Sequence, residues 1–222
     1  MTTSLTHDMT ASARFWDGAA RKYAARPVQD QAAYEKTLAR TIEHLGPNDR
    51  VLELGCGTGS TALLLAGNVA NYLATDFAGG MIDIADEKLA AARSEGSAPA
   101  GLRFAVADGF SEEVERSRGE GYDAILAFNF LHLLDRPEDL LARVHTLLKP
   151  GGLFISKTVC LRRKAWLFGP MIKVLQIFGK APSVRMLSFE GLEKMIADTG
   201  FEIVETGTYP APFSRFVVAR KV

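Results

Sequence analysis

A chain of 222 residues with 47% hydrophobic side chains suits one domain, or one domain with a modest insertion, around a sizeable core. Lysine plus arginine and aspartate plus glutamate number 26 each, and this zero net charge argues against a general nucleic-acid binder. No stretch is long and apolar enough to span a bilayer, residues 1–9 lack the apolar core of a secretory signal, and Cys56 and Cys160 stand far apart. Two free thiols in a cytoplasmic protein are therefore expected, with no metal cluster.

The charge is unevenly spread. Residues 1–139 carry 13 basic and 21 acidic side chains, residues 140–189 nine basic and no acidic ones, and residues 190–222 four and five.

From the N-terminus, Phe15, Trp16, Ala19, Ala20 and Tyr23 recur at helical spacing until Arg26-Pro27 breaks the run. A second helix is predicted over 30–45, ending at Gly46-Pro47. Residues 1–47 thus form a helical N-terminal cap. A buried strand follows and runs into Glu53-Leu54-Gly55-Cys56-Gly57-Thr58-Gly59-Ser60, with a helical apolar run over 62–66. Glycine permits positive φ and close approach of backbone to a ligand, and the start of a helix offers free N–H groups. This pattern predicts a nucleotide-type ligand at the mouth of a parallel sheet. A dinucleotide fingerprint G-x-G-x-x-G would need glycine where Ser60 stands.

Gly55-x-Gly57-x-Gly59 with Glu53 ahead of it resembles the first motif of the class I S-adenosylmethionine-dependent methyltransferases, small-molecule type, similar to those of ubiquinone and menaquinone biosynthesis. The resemblance is strong over about residues 48–160 and rests on pattern alone after that. It implies a doubly wound, Rossmann-like α/β sheet of about seven mostly parallel strands, closed by an antiparallel C-terminal hairpin. It also implies S-adenosylmethionine as cofactor, S-adenosylhomocysteine as product, and a small-molecule acceptor. Gly55, Cys56, Gly57 and Gly59 would make room for the cofactor's amino-acid portion. Glu53 would orient its ammonium, or simply brace the turn. Phe15-Trp16-Asp17-x5-Tyr23 resembles the family's N-terminal helix, with Tyr23 closing over the cofactor and Trp16 toward the acceptor, unless both only pack on the sheet.

The second strand, 71–75, delivers Asp76, 17 residues beyond Gly59 and near the about 20-residue offset at which an acid meets a ribose. Phe77 and Met81 follow on the cofactor side, Met81 matching a position that packs on adenine or serving as core. Asp76 alternatively caps a helix over 78–92. The third strand, 102–107, delivers Asp108 for the adenine amine, Gly109 beside the ring and Phe110 stacked on the base; Asp108 as a loop or cap residue is the alternative. Residues 111–119 read as a charged, exposed helix and loop.

The fourth strand, 122–128, empties into Asn129-Phe130-Leu131-His132-Leu133-Leu134, which should face the reacting centre. Asn129 falls on the cofactor side. His132 is the candidate general base, since imidazole titrates near neutrality; packing between Leu131 and Leu133 competes with that role. The run lacks the Asn/Asp-Pro-Pro-aromatic signature of enzymes acting on DNA bases or protein glutamine. Asp123 looks surface-facing, so no second acid is placed for chelation and no metal is required. Lys149-Pro150-Gly151-Gly152 sets the entry of a fifth strand over 153–159, and a helix over 188–199 precedes strands over 201–206 and 213–219.

Between them, residues 160–187 interleave Arg162, Arg163, Lys164, Lys173, Lys180 and Arg185 with Trp166, Phe168, Met171 and other apolar side chains. Three readings fit this basic, apolar insertion: a lid that brings Trp166, Phe168 and Met171 to the acceptor, a peripheral membrane contact, or subunit packing. Oligomeric state is not encoded in any motif.

Overall fold

The computed structural model describes residues 5–166, 169, 170, 173 and 183–222. Its elements follow in chain order as α1 (Leu5–Ala24), α2 (Gln31–Ile42), β1 (Arg50–Leu54), α3 (Ser60–Leu65), β2 (Asn71–Asp76), α4 (Gly79–Ser94) and β3 (Leu102–Val106). The second half gives α5 (Glu112–Ser117), β4 (Tyr122–Phe128), α6 (Pro137–Leu147), β5 (Leu148–Val159), α7 (Phe189–Asp198), β6 (Phe201–Thr208) and β7 (Ser214–Lys221).

The strands form one seven-stranded sheet in the order β3-β2-β1-β4-β5-β7-β6. The first five strands run parallel, and β7 enters antiparallel between β5 and β6. Alternation along the central strands splits the core between the two faces. Leu52, Leu54, Ile125 and Phe154 pack on one side against Leu140, Leu141 and Val144 of α6 and Leu192 and Ile196 of α7. Val51, Tyr72, Leu126 and Ile155 pack on the other against Leu65 of α3 and Ile82, Ala85 and Leu89 of α4. Strands buried on both faces are what a parallel sheet requires, so the doubly wound expectation holds.

Local chemistry sets the boundaries. Asp30 caps α2 by accepting the Ala33 N–H at 2.9 Å, Ser188 caps α7 through the Gly191 N–H at 3.0 Å, and Pro137 opens α6. Asp123 is half-buried rather than surface-facing. Its carboxylate accepts the Arg50 N–H at 2.8 Å and the Lys149 ammonium at 2.6 Å, tying the bottom of β4 to β1 and to the turn into β5.

Helix α1 starts earlier than its periodicity suggested and crosses the top of α4. Ala20 packs with Ala78, Met81 and Ile84, and Trp16 and Phe77 border the cluster. Asp17 accepts the Gly80 N–H at 2.8 Å, and the Arg21 guanidinium pairs with Glu87. The cap is thereby held over the carboxyl ends of β1 and β2. No helix among the described residues is long and apolar enough to cross a membrane.

Candidate active site

The strand order reverses direction between β1 and β4, the place where an open α/β sheet offers a crevice. A cleft open to solvent lies there and is lined by Trp16, Tyr23, Gly55, Gly57, Asp76, Phe77, Met81, Phe128, Asn129, Phe130 and Leu133. Residues from α1, β1, β2 and β4, far apart in sequence, meet around one space.

The three glycines of the turn all take positive φ, but they serve different ends. A methyl group at Gly55 would stand 2.4 Å from the Phe130 ring, and one at Gly59 would stand 2.6 Å from Phe104 and 2.8 Å from Ala85. Those two glycines let side chains pack against the backbone. At Gly57 the nearest atom is the Tyr23 ring at 4.0 Å, so this glycine alone faces open space. Its N–H donates to Asp76 Oδ2 at 3.0 Å, while Ala78 N–H donates to Oδ1 at 2.9 Å. One carboxylate thus shapes the turn and begins α4, and it also lines the cleft. Burial pushes its pKa up, and the two backbone donors oppose that shift.

Glu53 sits beneath the turn. Its Oε2 accepts the Tyr72 hydroxyl at 2.8 Å, and burial raises its pKa to about 7, with Asp76 adding to the shift. The Tyr72 and Cys56 groups are likewise held in their neutral forms by burial. Outside the turn, Lys88 of α4 donates to Thr58 O at 2.9 Å and Ser60 Oγ at 2.7 Å and so braces it.

At the end of β4, Asn129 has φ 54. Left-handed geometry is rare outside glycine, though asparagine tolerates it best, and the Asn129 N–H is fixed by Lys157 O at 2.7 Å. His132 follows on the short helical turn Leu131–Leu133. The imidazole is buried, its Nδ1 has no hydrogen-bond partner, and burial lowers its pKa to about 4. It is therefore a neutral imidazole near physiological pH.

The structure brings Tyr23, Trp16, Gly55, Gly57, Asp76, Phe77, Met81 and Asn129 together in the cleft wall. Met81 is buried in the α1–α4 cluster and also lines the cleft. Glu53, Cys56, Gly59 and His132 lie behind that wall. Asp108, Gly109 and Phe110 are not part of it: Asp108 Oδ1 accepts the Phe110 N–H at 2.7 Å, Gly109 packs on Leu140, and Phe110 is 52% exposed. Trp166 is 78% exposed, and Phe168 and Met171 lie outside the described residues. Phe130 and Leu133, from the run after β4, also line the cleft, and Phe128 was missed as a wall residue. The signal for Phe128 was available, since the last residue of a strand at the switch point faces the crevice.

This sheet order, with a glycine turn over the first strand and an acid ending the second, defines a class I S-adenosylmethionine-dependent methyltransferase. The comparisons agree. The chain belongs to the methyltransferase domain family, whose model matches residues 24–206. It is 29% identical over 195 residues to the highly reducing polyketide synthase FUM1 of Gibberella moniliformis, a match covering 78% of this chain and 7% of that protein. The chain thus spans a small part of that relative's length.

Among solved structures, the magnesium protoporphyrin IX methyltransferase ChlM of Synechocystis PCC 6803, with bound S-adenosylmethionine, superposes with a TM-score of 0.70 at 17% identity, covering 97% of both chains. The CurJ carbon methyltransferase gives a TM-score of 0.60 at 23% identity, over 85% of this chain and 53% of that one. At these identities the structural matches bear on the fold.

The residues present fit the cofactor. The open approach at Gly57 leaves room for an amino-acid chain against the backbone, Asp76 offers a carboxylate beside that opening, and Phe77 and Met81 supply an apolar wall.

Proposed function

We propose that this protein methylates a small, lipophilic or aromatic acceptor through an oxygen, nitrogen or acidified carbon atom. The observation that carries the reading is the character of the cleft beyond the glycine turn. Trp16, Phe128, Phe130 and Leu133 make that wall, and Asp76 is the sole charged side chain among the described lining residues. An apolar cleft of this kind suits an uncharged organic molecule with a few fixed polar groups.

S-adenosylmethionine, when bound, supplies an electrophilic methyl group. The chain's own task is to orient and to exclude water, and orientation alone is worth about 7–11 kcal/mol of barrier. Gly57 and Asp76 hold the cofactor end, Trp16 and Tyr23 close over it from α1, and the β4 end presents the acceptor. His132, neutral and set behind the cleft wall, takes the acceptor's proton through one water. The carbon methyltransferase among the structural neighbours and the polyketide synthase among the relatives support carbon as well as oxygen and nitrogen. The deciding experiment is formation of S-adenosylhomocysteine on incubation with phenols, amines and β-dicarbonyl compounds. If the protein binds that nucleoside yet turns over none of these classes, the catalytic reading fails and a binding role replaces it.

One observation favours contact with an anionic lipid surface as a second property. Trp166 is 78% exposed next to the basic turn Arg162–Lys164. Co-sedimentation with phosphatidylglycerol but not phosphatidylcholine vesicles, lost in Trp166→Ala, is the expected result; equal recovery with both lipids overturns it.

A further inference from the structure

Lys157 stands at the carboxyl end of β5 and is nine-tenths buried, with 8% exposure. Its parallel neighbour on β4 is Phe128, whose side chain lines the cleft, and its carbonyl accepts the Asn129 N–H at 2.7 Å. Strand alternation puts its side chain on the face of Ile155, packed with Phe216 and Phe128. The lysine is thus the next side chain behind the acceptor end of the cleft.

Among the described residues its ammonium has neither an ion pair nor a hydrogen bond. Exposed Asp30, whose Oδ1 caps α2, acts on it electrostatically without a hydrogen bond or ion pair. Nor is the ammonium sealed in, because the fully enclosed unpartnered nitrogens among these residues belong to Arg118, His132 and His145. Apolar walls around a cation disfavour its charged form, and burial accordingly depresses the Lys157 pKa.

We propose that Lys157 is the specificity-determining cation of the acceptor site, pairing with an ionised oxygen of the acceptor: a phenolate or the enolate of a β-dicarbonyl. The inference rests on the methyltransferase reading and narrows its acceptor class to molecules with an acidic O–H or an enolisable carbonyl. Pairing favours the anion and so eases loss of the acceptor's proton to His132, leaving its oxygen or the conjugated carbon electron-rich for attack.

The test uses 4-nitrophenol, whose yellow phenolate absorbs apart from the phenol, titrated into the full chain saturated with S-adenosylhomocysteine. Wild type should bind the phenolate in preference and lower the apparent pKa of the bound probe. Lys157→Met should lose about tenfold or more in phenolate affinity and abolish the pKa shift, while Lys157→Arg should retain most of both. Affinity for S-adenosylhomocysteine should stay within about twofold in both variants, which shows that they are folded. Equal phenolate binding by wild type and Lys157→Met overturns the proposal, as does a wild type that does not prefer the anion. Failure of wild type to bind S-adenosylhomocysteine sinks the methyltransferase reading itself, and this inference with it.

Discussion

The two ends of the cleft are built on opposite principles. At the β1–β2 end the polar groups are spoken for: Asp76 receives two backbone N–H groups, Glu53 receives Tyr72, and Lys88 clamps Thr58 and Ser60. At the β4–β5 end they are left over. His132 Nδ1, Ser156 Oγ and Thr158 Oγ1 are buried without partners, and Lys157 has none among the described residues. Buried polar groups are ordinarily satisfied because each orphan costs about 1–3 kcal/mol. The β1–β2 end is a cradle whose polar groups are mutually satisfied, whereas the β4–β5 end carries unpaired polar groups beneath the cleft wall.

The largest break in this contrast is expected at His132. His132→Ala should lower kcat by about 10²–10⁴-fold if the imidazole takes the acceptor's proton, with the dissociation constant for S-adenosylhomocysteine unchanged. With its pKa near 4, the base is already free above that pH, so kcat/KM should rise through about pH 4 and stay flat across neutrality. A variant with undiminished kcat would assign His132 to packing.

Asp76→Ala attacks the other end. Its two charge-assisted hydrogen bonds, worth about 1.5–3 kcal/mol each, shape the turn as well as facing the ligand. Calorimetry should show S-adenosylhomocysteine affinity down by roughly 100-fold, at about tenfold per 1.4 kcal/mol. An affinity within a few fold of wild type would mean that Asp76 only caps α4.

The cradle was legible in the sequence because its constraints are local. Glycines at alternate positions after an apolar strand, and an acid at the end of the next, follow from backbone geometry. The acceptor end depends on which residues meet across strands. Lys157 reads as an ordinary polar residue in an apolar strand, and only its register with Phe128 and Phe216 reveals the burial. Asp108 shows how local chemistry competes with a motif: its Oδ1 accepts the Phe110 N–H in the loop after β3. Short side chains beside a turn compete for local donors, and spacing alone cannot decide that competition.

Paired alanine substitutions sharpen the contrast within the cradle. Gly59→Ala must displace Phe104 and Ala85, an overpacking cost of about 1–3 kcal/mol, so thermal unfolding should shift down while the folded fraction still binds S-adenosylhomocysteine. Gly57→Ala meets no side chain within contact distance, and its cost is the roughly 1–2 kcal/mol of a left-handed alanine. Its methyl enters the space left for the ligand, so binding should fall more than stability. Equal effects of the two substitutions on binding would show that the glycines do not divide their work this way.

The smallest effect concerns Glu53, where the two ends respond to pH with opposite signs. Burial holds the folded pKa of Glu53 near 7, above an ordinary glutamate, so its contribution to stability is complete below the unfolded pKa and is lost as pH rises through about 7. His132, depressed to about 4, contributes above its unfolded pKa and loses that contribution as pH falls toward 4. Glu53→Gln can still accept the Tyr72 hydroxyl but has no charge to desolvate. Urea unfolding should therefore find it close to wild type at pH 5 and more stable at pH 8, by on the order of 1–2 kcal/mol. The acid-side fall due to His132 should remain in the variant. A Gln variant no more stable than wild type at pH 8 would mean that the carboxylate is ionised and compensated beneath the turn, and the satisfied end of the cleft would then carry a hidden charge of its own.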